Sequence, residues 1–379
     1  MKKLNREYLI QYYRLLDLRN NLDLYEDESI NQMMAVYDRA IKDIKARLFK
    51  TKGEETKKQL KALLRDLQAA NRALIKIVLE PIKSSVGDVT VKALEEFEKI
   101  YSWDNKDRNF NSSLDSAKTV VESIQNIPIG GNILEEWVFK NFDDLAAMQE
   151  TLIAARLEGA SYRYMYKGLV GLYEDKTRQE LITLARSYNQ AAVTGAQEQI
   201  FFENPDIVKA MRWTAIMEMG HLSTGHGTCP RCAALDGQEY DLNKPHPPCP
   251  LHARCRCMWS PITLTWNELF KKHDIRDKDG NHITMDEMEE EYRTFLERKP
   301  ENVDLGRGKG SIQHAELVDM PYGEFATGKG KSWLSQVVGP NRADLISSGK
   351  LEFSDLVNSQ TGELYTLAEL GYPITGKTK

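Results

Sequence analysis

The chain has 379 residues, of which 41% are hydrophobic and 28% charged, with 13 prolines. That is room for two or three domains of roughly 100 to 200 residues, and it excludes collagen-like and wholly disordered chains. The 51 basic and 56 acidic side chains leave a net charge of -5, which argues against a protein whose main work is neutralising nucleic-acid phosphates.

From Asn5 to about Ile200, apolar residues recur at helical spacing with few glycines. Arg6 and Glu7 interrupt the segment Met1–Tyr13, so no secretory leader is expected. No run approaches the roughly 18 apolar residues of a membrane span, and the chain reads as soluble and cytoplasmic when made. Leu60, Leu63, Leu64, Leu67, Leu74 and Ile77 form one stripe, with Lys57, Lys61 and Arg65 off it. This predicts an amphipathic helix closed by Pro81, its charges on a solvated face. Asp104–Ser113 is polar, and Ile127–Asn132 carries Pro128 and the pair Gly130-Gly131, so both read as breaks, the second as a domain boundary. Leu134–Leu157 and Lys176–Gln199 read as long helices, with Leu181, Leu184, Tyr188 and Ala192 on one face of the second. Beyond Pro205 the composition turns β-branched and aromatic, which predicts a strand through Met211–Met217. Leu235-Asp236-Gly237 predicts a tight turn into a strand at Glu239–Leu242, and Arg256–Ile262 a further strand. Thr265–Lys272 and Met285–Arg298 read as helices, Asn302–Ser332 as a Gly-rich extended arm, and a last helical piece starts near Trp333.

All five cysteines lie between Cys229 and Cys257, which excludes a distributed disulfide framework and points to a metal. Cys229-Pro230-Arg231-Cys232 and His252-Ala253-Arg254-Cys255 are two pairs of x2 spacing, 19 residues apart. Tetrahedral Zn²⁺ takes four such ligands, and an x2 turn lets both members of a pair converge on one ion. The preferred ligands are Cys229, Cys232, His252 and Cys255. Cys249 and Cys257 stay open as alternatives, and free thiols or a disulfide are the competing reading. His221, His226 and His246 read as solvated loop residues. Four protein ligands leave no open position, and no H-x-E precedes the cluster as in the zinc deaminases, so the expected Zn²⁺ is structural and no catalytic residue is assigned. A small loop-rich knot gains most from such a staple. The fold expected is mainly α with a small α+β Cys-rich zinc-knot region. It divides into a helical N-terminal domain (1–130), a core of long helices and the knot (131–264), and a helical and Gly-rich C-terminal tail (265–379).

Thr228-Cys229-Pro230-Arg231-Cys232-Ala233-Ala234-Leu235-Asp236-Gly237, then Pro247-Pro248, then His252-Ala253-Arg254-Cys255-Arg256-Cys257 resembles the signature of the phage Mu F-like head-morphogenesis family. Those are minor capsid proteins of tailed bacteriophages. Upstream, Leu184-Ala185-Arg186-Ser187-Tyr188-Asn189 is similar to the family's helix ending in Ala-Arg-Thr-Glu, with Tyr188 where a Glu is usual; Ala253 likewise replaces a common Pro. Downstream, Trp333-Leu334, Val338-Gly339-Pro340-Asn341-Arg342-Ala343-Asp344-Leu345 and Gly349-Lys350-Leu351 resemble the family's tail. The resemblance spans roughly Leu134 to Val357, whereas the first 130 residues match only in being helical. It implies a non-enzymatic virion protein inside the capsid near the portal vertex, present in host cytoplasm during assembly. The implied partner is the portal protein, with scaffold and major capsid protein as further candidates and packaged DNA weakly supported. In this reading the N-terminal helices are the docking surface for portal or scaffold, against the alternative of a self-contained bundle. Some relatives carry a C-terminal toxin domain; with only a short segment after the family-like tail, none is expected here.

The alternatives are a zinc-knot DNA-binding protein, with Arg231, Arg254 and Arg256 near phosphate, and a zinc-dependent nuclease or toxin. Arginines without interleaved aromatics argue against the first, and a cysteine-dominated ligand set against the second. Gly323-Glu324-Phe325-Ala326-Thr327-Gly328-Lys329-Gly330 imitates a phosphate-binding loop but ends in Gly330 where Ser or Thr should stand, and reads as a flexible arm. Asp277-Lys278-Asp279-Gly280 lacks the first and last ligands of a calcium loop, and no Gly-x-Ser-x-Gly elbow is present.

Overall fold

The apolar stripe that begins at Leu63 does not stop at Pro81. Leu67, Leu74, Val78, Ile82, Val86, Val89, Leu94 and Phe97 are all buried on one helix, α2 (Lys57–Tyr101), and Pro81 lies inside it. The expected closure at Pro81 is corrected on this point. A proline costs one backbone hydrogen bond, but burial of the stripe on both sides of it offsets that loss and the helix continues. In the computed structural model the described residues are 27–28, 30–43, 46, 57–101, 112, 114–129, 132–215, 228–264 and 321–372, with isolated positions between 268 and 287.

Among the described residues the first helix, α1 (30–43), buries Ile30, Met33, Met34, Tyr37 and Ile41, and its Asp38 pairs with Arg178. Next come α3 (Leu114–Gln125), α4 (Leu134–Leu157), α5 (Tyr162–Gly171), a π-helical turn (Leu172–Thr177) and α6 (Arg178–Glu203). The predicted bounds of α4 are reproduced, and the second long helix runs a few residues further than Lys176–Gln199. The break at 127–132 is a short bridge, Ile129 to Asn132, whose carbonyls at Ile127 and Asn132 face the buried Tyr188 hydroxyl at 3.3 Å each. The helices on either side of it share one core: α2 packs on α6 and α4, and α3 on α6 and α2. Gly195 lets α3 approach α6, since a Cβ there would stand 3.1 Å from Val120.

β1 (Val208–Thr214), β2 (Glu239–Asp241) and β3 (Met258–Thr263) form a three-stranded antiparallel sheet in the order β2-β1-β3. β1 starts earlier than the predicted Met211, and residues 216–227 lie outside the description. Trp213 pairs with Trp259 across β1 and β3, and their rings meet edge to face at 5.1 Å. The short helix α7 (Pro230–Leu235) precedes β2.

The predicted helices Thr265–Lys272 and Met285–Arg298 fall almost wholly outside the described residues, as do His221, His226 and Asp277–Gly280. Of the predicted Gly-rich arm, 302–320 also lies outside, but from Pro321 the chain is helical. There α8 (Tyr322–Gly328) is followed by α9 (Lys331–Val338), α10 (Pro340–Ser347) and a 3₁₀ turn (Phe353–Leu356). Tyr322, Phe325 and Ala326, at helical spacing, are buried, and Gly323 sits where a Cβ would strike Phe353 at 2.7 Å. The flexible arm read from Gly323–Gly330 is therefore corrected to a packed helix and its cap. No helix among the described residues is long and apolar enough to cross a membrane.

Candidate metal centre

The first x2 pair is the opening turn of α7. Cys229 is its N-cap, with Pro230 in the first turn where its missing N–H costs nothing, and the Cys229 Sγ accepts the Cys232 N–H at 3.4 Å. The second pair sits in the loop before β3. There Arg254, at φ 57, is the one non-glycine residue with positive φ among the described residues, which turns the chain between His252 and Cys255. The Cys249–Pro250 peptide ahead of it is cis.

The predicted ligands meet in two triangles that share Cys232: Cys229 and His252 stand in one, and Cys255 stands in the other beside Cys257. His252 Nε2 stands 3.1 Å from Cys229 Sγ and 3.2 Å from Cys232 Sγ, and Cys232 Sγ stands 3.7 Å from Cys255 Sγ. Around a tetrahedral zinc with bonds of about 2.3 Å to sulfur and 2.0–2.1 Å to nitrogen, donors stand ~3.8 Å (S to S) and ~3.6 Å (S to N) apart. The Cys232–Cys255 pair fits, the two S–N pairs fall a few tenths of an ångström short, and Cys255 does not lie within 4.8 Å of both Cys229 and His252, so one ion on all four requires their side chains to draw together. Cys257 joins them: Cys232, Cys255 and Cys257 form a second buried triangle sharing Cys232 with the triangle of Cys229, Cys232 and His252. Cys249 belongs to neither triangle: its thiol donates to the Cys257 carbonyl at 3.3 Å and lies beside Cys255. All five cysteines are free of disulfides. A cluster of this kind could hold a metal ion through Cys229, Cys232, His252, Cys255 or Cys257, and a sulfur-rich set with one imidazole suits zinc.

Proton affinities split within the cluster. The Cys232 thiol beside Cys229 draws Cys229 down to about 5, helped by His252 and opposed by burial. Contacts with Cys232, Cys249 and Cys257 hold Cys255 well below the usual thiol range. Burial works against a charge on His252, yet hydrogen bonds with Cys229 and Cys255 lift it to about 11. Cys232 is pushed up by its bond to Cys229, and Cys249 and Cys257 chiefly by burial. An ion bound here displaces the protons that otherwise mediate these contacts.

The Leu-Asp-Gly run that follows the first pair has a separate task. Leu235 is fully buried, and Gly237, at φ 80, makes the turn that returns its N–H to the Trp213 carbonyl. The Asp236 carboxylate accepts the Ala215 N–H at 2.7 Å and the Tyr322 N–H at 2.8 Å, joining the end of β1 to the start of α8. The C-terminal segment is fastened to the knot at further points: Arg231 Nε donates to the Gly362 carbonyl at 2.7 Å and Tyr240 to the Ser359 carbonyl at 2.8 Å. Arg254 bonds Thr183 Oγ1 on α6 at 2.6 and 2.8 Å, so Arg231 and Arg254 each serve the fold. His246 is not solvated as predicted. It is half-buried against Trp259 at 5.4 Å, its Nδ1 lies 3.1 Å from the Pro247 carbonyl, and burial lowers its pKa.

The spacing of the cysteines identified the cluster. It gave no sign of Asp236 as a clamp or of Glu198, whose carboxylate accepts Trp259 Nε1–H at 2.6 Å and is pushed up to about 7 by burial. The signal for Asp236 was present only as a turn residue. Comparison of the chain with protein-family models, with curated proteins and with solved structures finds no match.

Proposed function

We propose that this chain is a minor head protein of a tailed bacteriophage, acting in head morphogenesis at or near the portal inside the procapsid and supporting assembly, DNA packaging or DNA exit. The observation that carries the reading is the run from Thr228 to Gly237 followed by His252-Ala253-Arg254-Cys255-Arg256-Cys257. In the fold this run is one unit: the two pairs face each other, and the Leu-Asp-Gly turn ties them to the sheet and to the tail. We take the ion to be a structural zinc held by Cys229, Cys232, His252 and Cys255, with Cys257 the competitor for the last place. Four protein donors fill a tetrahedron and leave no position for substrate, which supports a non-enzymatic role. In this proposal the N-terminal helices meet the portal protein, scaffold and major capsid protein are further contacts, and the mature location is the virion interior.

The test is to follow the full chain into procapsids and to capture purified portal protein with it. Presence in procapsids at a fixed ratio to portal, with direct binding of the two purified proteins, is the expected result. A chain absent from procapsids and unable to bind portal refutes the assignment.

A further inference from the structure

One face of α6 carries Thr183, Ser187, Gln190, Thr194 and Gln197, at steps of four, three, four and three residues, which places them in a single row. A polar row of this spacing is the usual mark of a solvated face, yet Ser187, Gln190, Thr194 and Gln197 are at most 1% exposed. Each makes a hydrogen bond to the segment Cys249–Trp259, which runs from the loop of the second ligand pair into β3. Ser187 Oγ accepts the Arg254 N–H at 3.0 Å, and Gln190 Nε2 donates to the Cys257 carbonyl at 2.8 Å. Thr194 Oγ1 donates to the Cys249 carbonyl at 2.5 Å. Gln197 brackets Trp259, donating to its carbonyl at 2.9 Å and accepting its N–H at 3.1 Å. Thr183 takes the Arg254 guanidinium.

The row therefore grips the backbone just before, within and just after the His252–Cys255 pair, on a helix whose rise of about 1.5 Å per residue is fixed. Arg254 is the turning point, and its left-handed backbone is held from below by Ser187 and Thr183. Without that hold, an arginine at this φ relaxes toward negative φ and swings His252 away from Cys255.

We infer that this row is the outer shell of the metal centre: Ser187, Gln190 and Thr194 are positioning residues that set the approach of His252, Cys255 and Cys257 to an ion none of them touches. The inference rests on the metal reading given above. Backbone hydrogen bonds behind the ligands fix their direction before the ion arrives, and losing one such partner costs about tenfold to a hundredfold in affinity.

Metal-free full-length chain is titrated with Co(II) alone, whose thiolate charge-transfer band counts sulfur ligands and whose d–d bands report tetrahedral geometry. Thr194→Val and Ser187→Ala, each removing one hydroxyl, are expected to weaken cobalt binding about tenfold or more and to shift the d–d bands. Thr194→Ser restores both. Wild-type affinity and band positions in Thr194→Val and Ser187→Ala overturn the inference and leave the metal reading standing. No charge-transfer band in the wild-type chain removes the metal reading, and the inference with it. If Thr194→Val does not fold, Ser187→Ala decides by the same two readouts.

Discussion

Replacing Asp236 with asparagine isolates what a desolvated carboxylate does at the junction of sheet, knot and tail. Burial raises the Asp236 pKa from 3.8 to about 6, against the opposing hydrogen bonds from Ala215 and Tyr322 and the Arg212 charge. The folded chain therefore holds a proton on this group between about pH 4 and pH 6, where the unfolded chain has released it. Stability from this group is present below about pH 4 and is lost as pH rises through about 6. At about 1.4 kcal/mol per unit, the loss comes to about 3 kcal/mol. The substituted side chain cannot ionise, and it keeps one carbonyl oxygen to accept one of the two N–H groups while its amide opposes the other. That mismatch costs roughly 1–3 kcal/mol at every pH. Asp236→Asn is thus expected to be less stable than wild type at about pH 4 and to draw level with it or overtake it above about pH 6.5. Urea unfolding followed by tryptophan fluorescence at half-unit steps gives the difference curve, in which the titrations of all other carboxylates cancel. A swing of about 2 kcal/mol between about pH 4 and about pH 6.5, out of the about 3 kcal/mol reached at the extremes, is the expected result. Parallel profiles would mean that the carboxylate is hydrated, and a swing of opposite sign that the two N–H groups outweigh its burial; either refutes the reasoning.

Glu198→Gln tests the same physics on α6: burial lifts the carboxyl from 4.5 to about 7, and the glutamine carbonyl can still accept Trp259 Nε1–H. The variant should be more stable than wild type by up to about 3 kcal/mol at about pH 8 and show no gain below about pH 4.5, measured by urea midpoints at the two values. At the metal centre, wild-type chain should carry one zinc, and Cys229→Ser little or none, by elemental analysis of purified protein. Chelation should expose all five cysteine thiols to reagent and open the knot to protease, since a structural zinc contributes on the order of 10 kcal/mol. Metal-free protein whose knot resists protease as well as the loaded form would count against a structural ion.

The sequence was most legible where one physical rule governs. Leu134–Leu157 has an uninterrupted helical period, and the cysteine and histidine spacing admits few arrangements, so the helix bounds and the presence of a Cys/His cluster could both be read. It was least legible where a local rule loses to packing far along the chain. Pro81 is a helix breaker by its own chemistry, but Val78 and Ile82 on either side of it are both buried, and that outcome depends on α4 and α6. Gly323 and Gly328 disguised α8 because glycine lowers helix propensity, while the stripe of Tyr322, Phe325 and Ala326 is too short to stand out. The polar row on α6 was hidden for a similar reason: its partners are backbone groups about 60 residues downstream, and no window centred on the helix contains them.

The burial of α6 on opposite sides has a thermodynamic reach. Leu184, Tyr188, Ala192 and Gly195 face the helices, while Ser187, Gln190, Thr194 and Gln197 face the ligand loop, so one rod is a wall of both compartments. Melting of either compartment strips the other of part of its wall, which couples the unfolding of the two. A ligand that binds the folded knot alone then stabilises α2 and α3 to the extent that they unfold with the loop it touches, because the free energy of binding is shared by whatever unfolds together.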